Sequence, residues 1–147
     1  MNQMVIVCQT HVNVPIEEVW TYWNEPKHIT NWYSASDDWH TSHATNDLKV
    51  IGRFNYKMEA KDGSFAFDFS GTYLDIEPLH SITYELDDKR KVHIEFNQLD
   101  QKTEIIQKFE SEPTESLELQ EKGWQSILDH FKRYAEAVYQ KINNNKK

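Results

Sequence analysis

The stretch "GRFNYKMEAKDGSFAFDFSGTY", residues 52–73, decides the fold. Phe54, Tyr56, Met58 and Ala60 alternate with Arg53, Asn55, Lys57 and Glu59, the period of a strand with one face covered and the other in water. "KDGS" at 61–64 carries turn chemistry, and Phe65, Phe67 and Phe69 resume the apolar alternation on the return. The stretch is a β-hairpin with one aromatic face, and such a face needs a second layer to cover it.

Towards the C-terminus "EPLH" (77–80) interrupts the pattern, "SITYEL" (81–86) restores it, and "KVHIEF" (91–96) and "TEIIQKF" (103–109) flank a turn at "NQLDQK". Towards the N-terminus, Met4, Ile6, Cys8, Thr10 and Val12 alternate with Gln9, His11 and Asn13, a further strand with one covered face. These pieces make six or seven antiparallel strands. Pro15, followed by Glu17 and Glu18, opens a short helix to about Trp23, and "NEPKHITNW" repeats the signal for a second ending near Trp32. From Tyr33 to Asp47 small polar residues dominate, and the segment reads as a loop.

After Pro113 the period changes. Leu117, Gln120 or Glu121, Trp124, Ile127, Leu128, Phe131, Tyr134, Ala135 and Val138 recur at steps of three and four, the stripe of one long amphipathic helix. Only the inward side of the sheet offers enough apolar surface to receive it. The class is α+β, with a single domain over 1–141 and a polar tail, "INNNKK", over 142–147.

A chain of 147 residues buries roughly 68 to 70% of its unfolded surface, enough for one core. Apolar residues are 38% of the chain and aromatics alone 13%, so a few large rings must fill much of the interior. Such a core is easily left with gaps. Twenty-four acidic against sixteen basic residues give a charge of −8, which repels phosphate backbones and anionic headgroups; nucleic acid and membrane surfaces are not expected partners. The single cysteine, Cys8, has no internal disulfide partner, the N-terminus lacks a signal-peptide pattern, and no apolar run approaches the length of a bilayer span. The expected location is the cytoplasm.

"EPKHITNWYSASDDWH", residues 25–40, gathers two histidines, two adjacent aspartates and two tryptophans. His28, His40, His43, Asp37 and Asp38 are ordinary ligand types for zinc or iron, but no His-x-x-x-His fixes two of them on one element, so they are expected as solvated groups and no metal is expected. Cys8 falls on the covered face of a strand, where a thiol acts as a small apolar group, and no base is placed beside it. The paired aspartates at 37–38 and 87–88 sit in predicted loop or turn positions, and no phosphate-cradling glycine-rich loop is present. Trp20 reads as core. Gly123 costs the last helix about 1 kcal/mol relative to alanine, a cost that close approach of helix and sheet would offset.

Six stretches resemble the family named for the activator of Hsp90 ATPase, within the START-like, Bet v 1-like superfamily: "NVPIEEVW" (13–20), "NEPKHITNWY" (24–33), "GRFNYKMEAKDG" (52–63), "FSGTYLDIEP" (69–78), "TEIIQKF" (103–109) and "KGWQSILDHF" (122–131). They cover nearly the whole chain in the family's order. The resemblance implies a helix-grip fold: a curved antiparallel sheet, two short helices at one end, and a long C-terminal helix gripped by the sheet with a cavity between. It also implies a binder of lipids, sterols, hormones or polyketides, with a minority of relatives acting as cyclases and the family name coming from a co-chaperone. The 147 residues carry no counterpart of that co-chaperone's additional N-terminal domain, so ligand binding is expected ahead of Hsp90 activation.

Strand parity, the helical stripe and this resemblance together nominate the cavity wall: Trp32, Trp39, Phe54, Tyr56, Phe67, Phe69, Tyr84, Gln107, Trp124, Leu128 and Phe131. Inward polar groups such as Thr10, Gln107, Tyr56 and Tyr84 would orient a ligand or bond within the fold, and a single β-bulge would turn Gln107 to solvent. The expected function is binding of a hydrophobic small molecule by a monomer or weak dimer, with no cofactor and no catalytic residue. The alternatives are a co-chaperone or stress-linked protein acting through a protein partner, and a cyclase-like enzyme.

Overall fold

In the computed structural model, which describes residues 4–145, the hairpin of residues 52–73 is present. Strand β3 (Arg53–Ala60) pairs antiparallel with β4 (Ala66–Glu77), setting Phe54 opposite Gly71, Tyr56 opposite Phe69 and Met58 opposite Phe67. The turn is closed by Gly63 at φ 80°, a backbone conformation that glycine adopts without cost. Gly71 answers a different need. A Cβ there would come within 2.7 Å of the Glu85 carbonyl oxygen and 2.8 Å of the Phe54 ring, so the ring packs where only glycine leaves room. Phe65 falls just before β4 and is exposed, so the return strand starts one residue later than the alternation suggests.

The remaining strands are β1 (Val5–Val12), β2 (Trp39–Asn46), β5 (Ser81–Leu86), β6 (Lys91–Leu99) and β7 (Lys102–Glu110). All seven form one antiparallel sheet in the order β1-β7-β6-β5-β4-β3-β2, curled into a half-barrel. Helices α1 (Ile16–Asn24) and α2 (Pro26–Trp32) carry the chain from β1, at one edge, to β2, at the other. Helix α3 (Leu117–Asn145) lies along the inner face, and its helical course includes Ile142–Asn145, which the sequence assigns to the tail. Residues 1–3 and 146–147, the outer limits of the predicted domain and tail, lie outside the described residues. The architecture is the α+β helix-grip arrangement.

The predicted loop over 33–47 is corrected: its second half is the strand β2. Two features hide it. Only Thr41 and Ala44 are buried, three positions apart, because the register shifts between Thr41 and His43 and breaks the two-residue period. The strand is also an edge, where polar side chains discourage pairing with another chain. The Thr41 hydroxyl donates to the Tyr33 carbonyl at 2.6 Å, tying β2 to the end of α2.

At the opposite edge α3 supplies the cover. Gln125 Nε2 donates to the Gln9 carbonyl at 3.0 Å and Lys132 Nζ to the His11 carbonyl at 2.5 Å, so part of the free edge of β1 is occupied from within the chain. The buried stripe of α3 is Gln120, Leu128, Phe131 and Ala135; Leu117, read as its start, is exposed. The helices meet in an aromatic knot, with Trp23, Trp32 and Phe131 mutually packed at ring centroid distances of 4.7 to 4.9 Å. Phe96 of β6 lies beneath Trp23 at 5.6 Å, and half-buried Trp20 meets the same ring at 5.3 Å. That end of the helix–sheet interface is filled.

Candidate functional site

The other end is open. Between the N-terminal half of α3 and the β2–β4 part of the sheet lies a cleft of about 580 Å³, within the range of small-molecule sites. The sheet contributes Trp39, Met58, Phe67 and Phe69; α3 contributes Leu119, Gln120, Gly123, Trp124 and Ile127; the segment after α2 contributes Tyr33, Ala35 and Ser36. Trp124 stacks on Phe109 at 4.4 Å and meets Phe69 edge-on at 5.9 Å, while Trp39 leans on Phe67 at 5.7 Å. Phe67 is 53% exposed, a large ring held in water at the mouth. Arg90, Glu112 and Glu115 complete the rim.

The eleven nominated wall residues divide. Trp39, Phe67, Phe69 and Trp124 line the cleft. Leu128 and Phe131 are fully buried further along α3. Trp32 is also buried, its indole N–H donating to the Tyr22 carbonyl at 3.0 Å, and it borders a second, polar hollow. Phe54, Tyr56 and Tyr84 surround a separate void of about 10 Å³, the scale of one water. Gln107 is 1% exposed on the inward face of β7, two residues from Phe109, and its Oε1 has no hydrogen-bond partner among the described residues. The bulge that would turn it outward is absent: β7 pairs in unbroken register with β1 and β6.

Sequence reasoning did not nominate Tyr33, Met58, Gln120, Gly123 and Ile127 for the wall. Met58 has the inward parity of its strand and Ile127 sits three residues after Trp124 on the stripe, so both carried a signal; Tyr33 carried none. Gly123 does not mark a close approach of helix to sheet. A Cβ there would meet no heavy atom within 4 Å, because the position faces the open cleft.

The polar groups beneath the site are neutral and mostly satisfied. Burial holds the Tyr33, Tyr56 and Tyr84 hydroxyls well above their ordinary pKa. Tyr73 donates to Asn46 Oδ1 at 2.5 Å, and Asn46 Nδ2 donates to the Asn24 carbonyl at 2.7 Å. This chain of bonds ties β4, β2 and α1 together. Gln120 fixes the rim: its Oε1 accepts from Glu112 N at 2.6 Å, and its Nε2 donates to the carbonyls of Glu112 and Glu115 at 2.8 and 3.1 Å.

The His and Asp residues of the 25–40 stretch and His43 do not converge. His28 Nδ1 pairs with the Tyr134 hydroxyl at 2.7 Å, His40 lies 3.7 Å from Glu59, Asp37 lies 3.9 Å from His130, and His43 is exposed. Among the described residues, no three His, Cys, Asp or Glu side chains come together as a metal ion needs. Cys8 is buried against α3, its Sγ 3.7 Å from the Glu121 carbonyl oxygen, and burial pushes its pKa up to about 11. No helix among the described residues is long and apolar enough to cross a membrane.

Comparison with known proteins agrees with the geometry. The AHSA1-like protein from Aeromonas hydrophila, known from a solution structure, is 42% identical, with a TM-score of 0.87 over 92% of this chain and 94% of that one. A protein from Cytophaga hutchinsonii, also solved in solution, is 45% identical, with a TM-score of 0.78 over the same shares. A protein from Nitrosomonas europaea, at 17% identity and a TM-score of 0.80 over 93% of this chain and 97% of that one, shares the fold. No curated protein matches. The family described as activator of Hsp90 ATPase homolog 1-like protein matches residues 13–136, and the chain, with its seven-stranded grip on one long helix, belongs to that family.

Proposed function

We propose that the protein binds a hydrophobic small molecule in the cleft between the sheet and α3, acting as a cytoplasmic monomer or weak dimer. The observation that carries this reading is the cleft itself: an open hollow of about 580 Å³ whose wall includes Trp39, Phe67, Phe69 and Trp124. Those rings form no closed core with one another, since Phe67 stays largely in water. A guest that covers them removes apolar surface from solvent, at roughly 25 cal/mol per Å². Of the remaining nominated residues, Phe54 and Tyr56 pack against Phe69 from behind the wall, and Trp32 packs against Tyr33.

Native mass spectrometry of freshly purified protein, with a lipophilic library followed by ¹H–¹⁵N shifts, tests the reading. Shifts are expected at the Trp124 and Trp39 indoles and the Phe67 and Ile127 amides. Saturable binding that moves none of these, or no binding across the library, overturns it.

A second reading, a co-chaperone or stress-linked protein that binds another protein, is favoured by one observation. Val5 and Val7 are 59% and 51% exposed on the outer face of β1, away from the cleft. Stimulation of a partner ATPase that survives blocking of the cleft, and is lost on Val5→Ser with Val7→Ser, would support it.

A further inference from the structure

A second hollow of about 490 Å³ adjoins the apolar cleft, and the two share Tyr33 and Trp39 as lining. The strap between these residues serves both: Ala35 and Ser36 face the apolar cleft, Ser34 and Asp37 the second hollow. The chemistry of the two differs sharply. The second hollow is bordered by His40 from β2, Lys61 from the β3–β4 turn, and His130 and Arg133 from α3, with Asp37 as its one carboxylate. Asp37 is 98% exposed and lies 3.9 Å from His130, too free to neutralise the group. Just outside, Glu59 stands 3.7 Å from His40.

In a chain of net charge −8, a gathering of basic groups requires explanation. The arginines sharpen the point. Arg53 and Arg90 hold carboxylates at 2.9 and 2.8 Å, whereas Arg133 holds none among the described residues, and neither does Lys61. Lys61 is positioned, since its backbone N–H donates to the Asp38 carbonyl at 2.8 Å and so ties the hairpin turn to the strap. His130 Nδ1 lies 3.3 Å from the Ser34 hydroxyl, which holds its ring against the same strap. A planar guanidinium with free donors beside an ammonium suits an oxyanion.

Helix α3 orders the charges. Glu115 stands at the rim just before it, and along the helix come Leu119, Trp124 and Ile127 on the cleft, then His130 and Arg133 on the second hollow. From Gln120 to Arg133 is about 20 Å at 1.5 Å per residue. The acidic end repels an anion, because Glu112 and Glu115 stand there and Arg90 is committed to Asp88. The basic end attracts one.

We infer that the ligand is an oxyanion-headed amphiphile, its apolar body in the Trp124 cleft and its carboxylate, phosphate or sulfate head beyond Trp39, against Arg133 and Lys61. This rests on the cleft reading above and adds the head group, its charge and the ligand's direction.

Dodecyl probes test it by titration below their micelle concentrations, with the Trp124 indole shift as readout. Dodecanoate and dodecyl phosphate are expected to bind roughly three- to tenfold tighter than dodecanol, the effect of charge-assisted contacts at a half-open site. Dodecyltrimethylammonium should bind no tighter than the alcohol. In the Lys61→Gln/Arg133→Gln double variant the preference for the anions should disappear. Both side chains belong to exposed residues, so the fold is retained. In the wild type, dodecanoate and not dodecanol should also move the His130 and Arg133 amides. Equal affinity for acid and alcohol, or a preference unchanged in the double variant, overturns the head-group assignment while leaving the cleft reading in place. Binding of inorganic phosphate alone as tightly as dodecyl phosphate would show a bare anion site and overturn the amphiphile. Failure of every probe to move Trp124 overturns both.

Discussion

Trp124 lies on Phe109 with ring centroids 4.4 Å apart and planes inclined by 25°, so one face of the indole is anchored to β7 while the residue lines the cleft. The pairing gives Trp124 two roles that substitution can separate. Trp124→Phe keeps a ring on Phe109 but shortens the cleft wall, so stability should change by less than about 1 kcal/mol while ligand affinity falls about tenfold. Trp124→Ala removes the stack as well and should cost about 2 to 3 kcal/mol in urea unfolding.

Gly123→Ala should move stability and binding in opposite directions. Because a new Cβ meets no heavy atom within 4 Å, alanine brings its helix propensity without a clash, stabilising the protein by roughly 0.5 to 1 kcal/mol. The methyl group projects into the cleft that Gly123 lines, so affinity for a bulky ligand should drop. A thermal shift paired with a binding titration on the same sample checks both signs.

Gln120→Ala should loosen the rim. The side chain makes three hydrogen bonds to the backbone of Glu112 and Glu115 while 6% exposed, and its loss leaves Glu112 N and two carbonyls without those partners. The expected cost is about 1 to 3 kcal/mol. Hydrogen exchange should rise at the Glu112 amide and remain unchanged in the centre of α3.

His28 should give the fold a pH dependence whose sign follows from its burial. Burial lowers its pKa below 6.5, with the nearby Glu25 carboxylate opposing and Lys27 reinforcing the shift. The unfolded chain therefore takes up the proton first as pH falls. Stability loses this contribution from about pH 6.5 downward until the folded pKa is passed, and above pH 6.5 the residue is neutral in both states. An NMR titration should place the His28 midpoint below 6.5, and His28→Gln should flatten the decline in this window.

Cys8 should be inert until the protein unfolds. Burial first, then the Glu121 and Asp129 carboxylates, pushes its pKa up to about 11, so the thiolate is scarce at pH 8 and the sulfur is covered. A disulfide reagent should react slowly with native protein and fully in denaturant. Prompt reaction under native conditions would place the thiol at the surface.

How much was legible follows from how local each signal is. The β3–β4 hairpin and α3 were readable because their period repeats within one segment. Strand β2 was not, since a register shift after Thr41 breaks the alternation and its edge position tolerates polar side chains on both faces. Trp39, Phe67, Phe69 and Trp124 were nominated and do line the cleft. Tyr33 was invisible because its place is fixed by the hydrogen bond from Thr41, a contact between segments whose pairing the sequence does not display.

Phe131 and Trp124 mark the boundary between the two kinds of information. They stand two helical turns apart on one stripe of α3, and the sequence by itself determined that stripe, the aromatic sheet face that receives it and the grip between them. Only the tertiary structure decided that Phe131 is sealed by Trp23 and Trp32 while Trp124 borders an open cleft. Periodicity reports which side of an element is apolar. How deeply each residue lies depends on where α1 and α2 cross the sheet, and those short helices cover one end of the interface and leave the other unfilled.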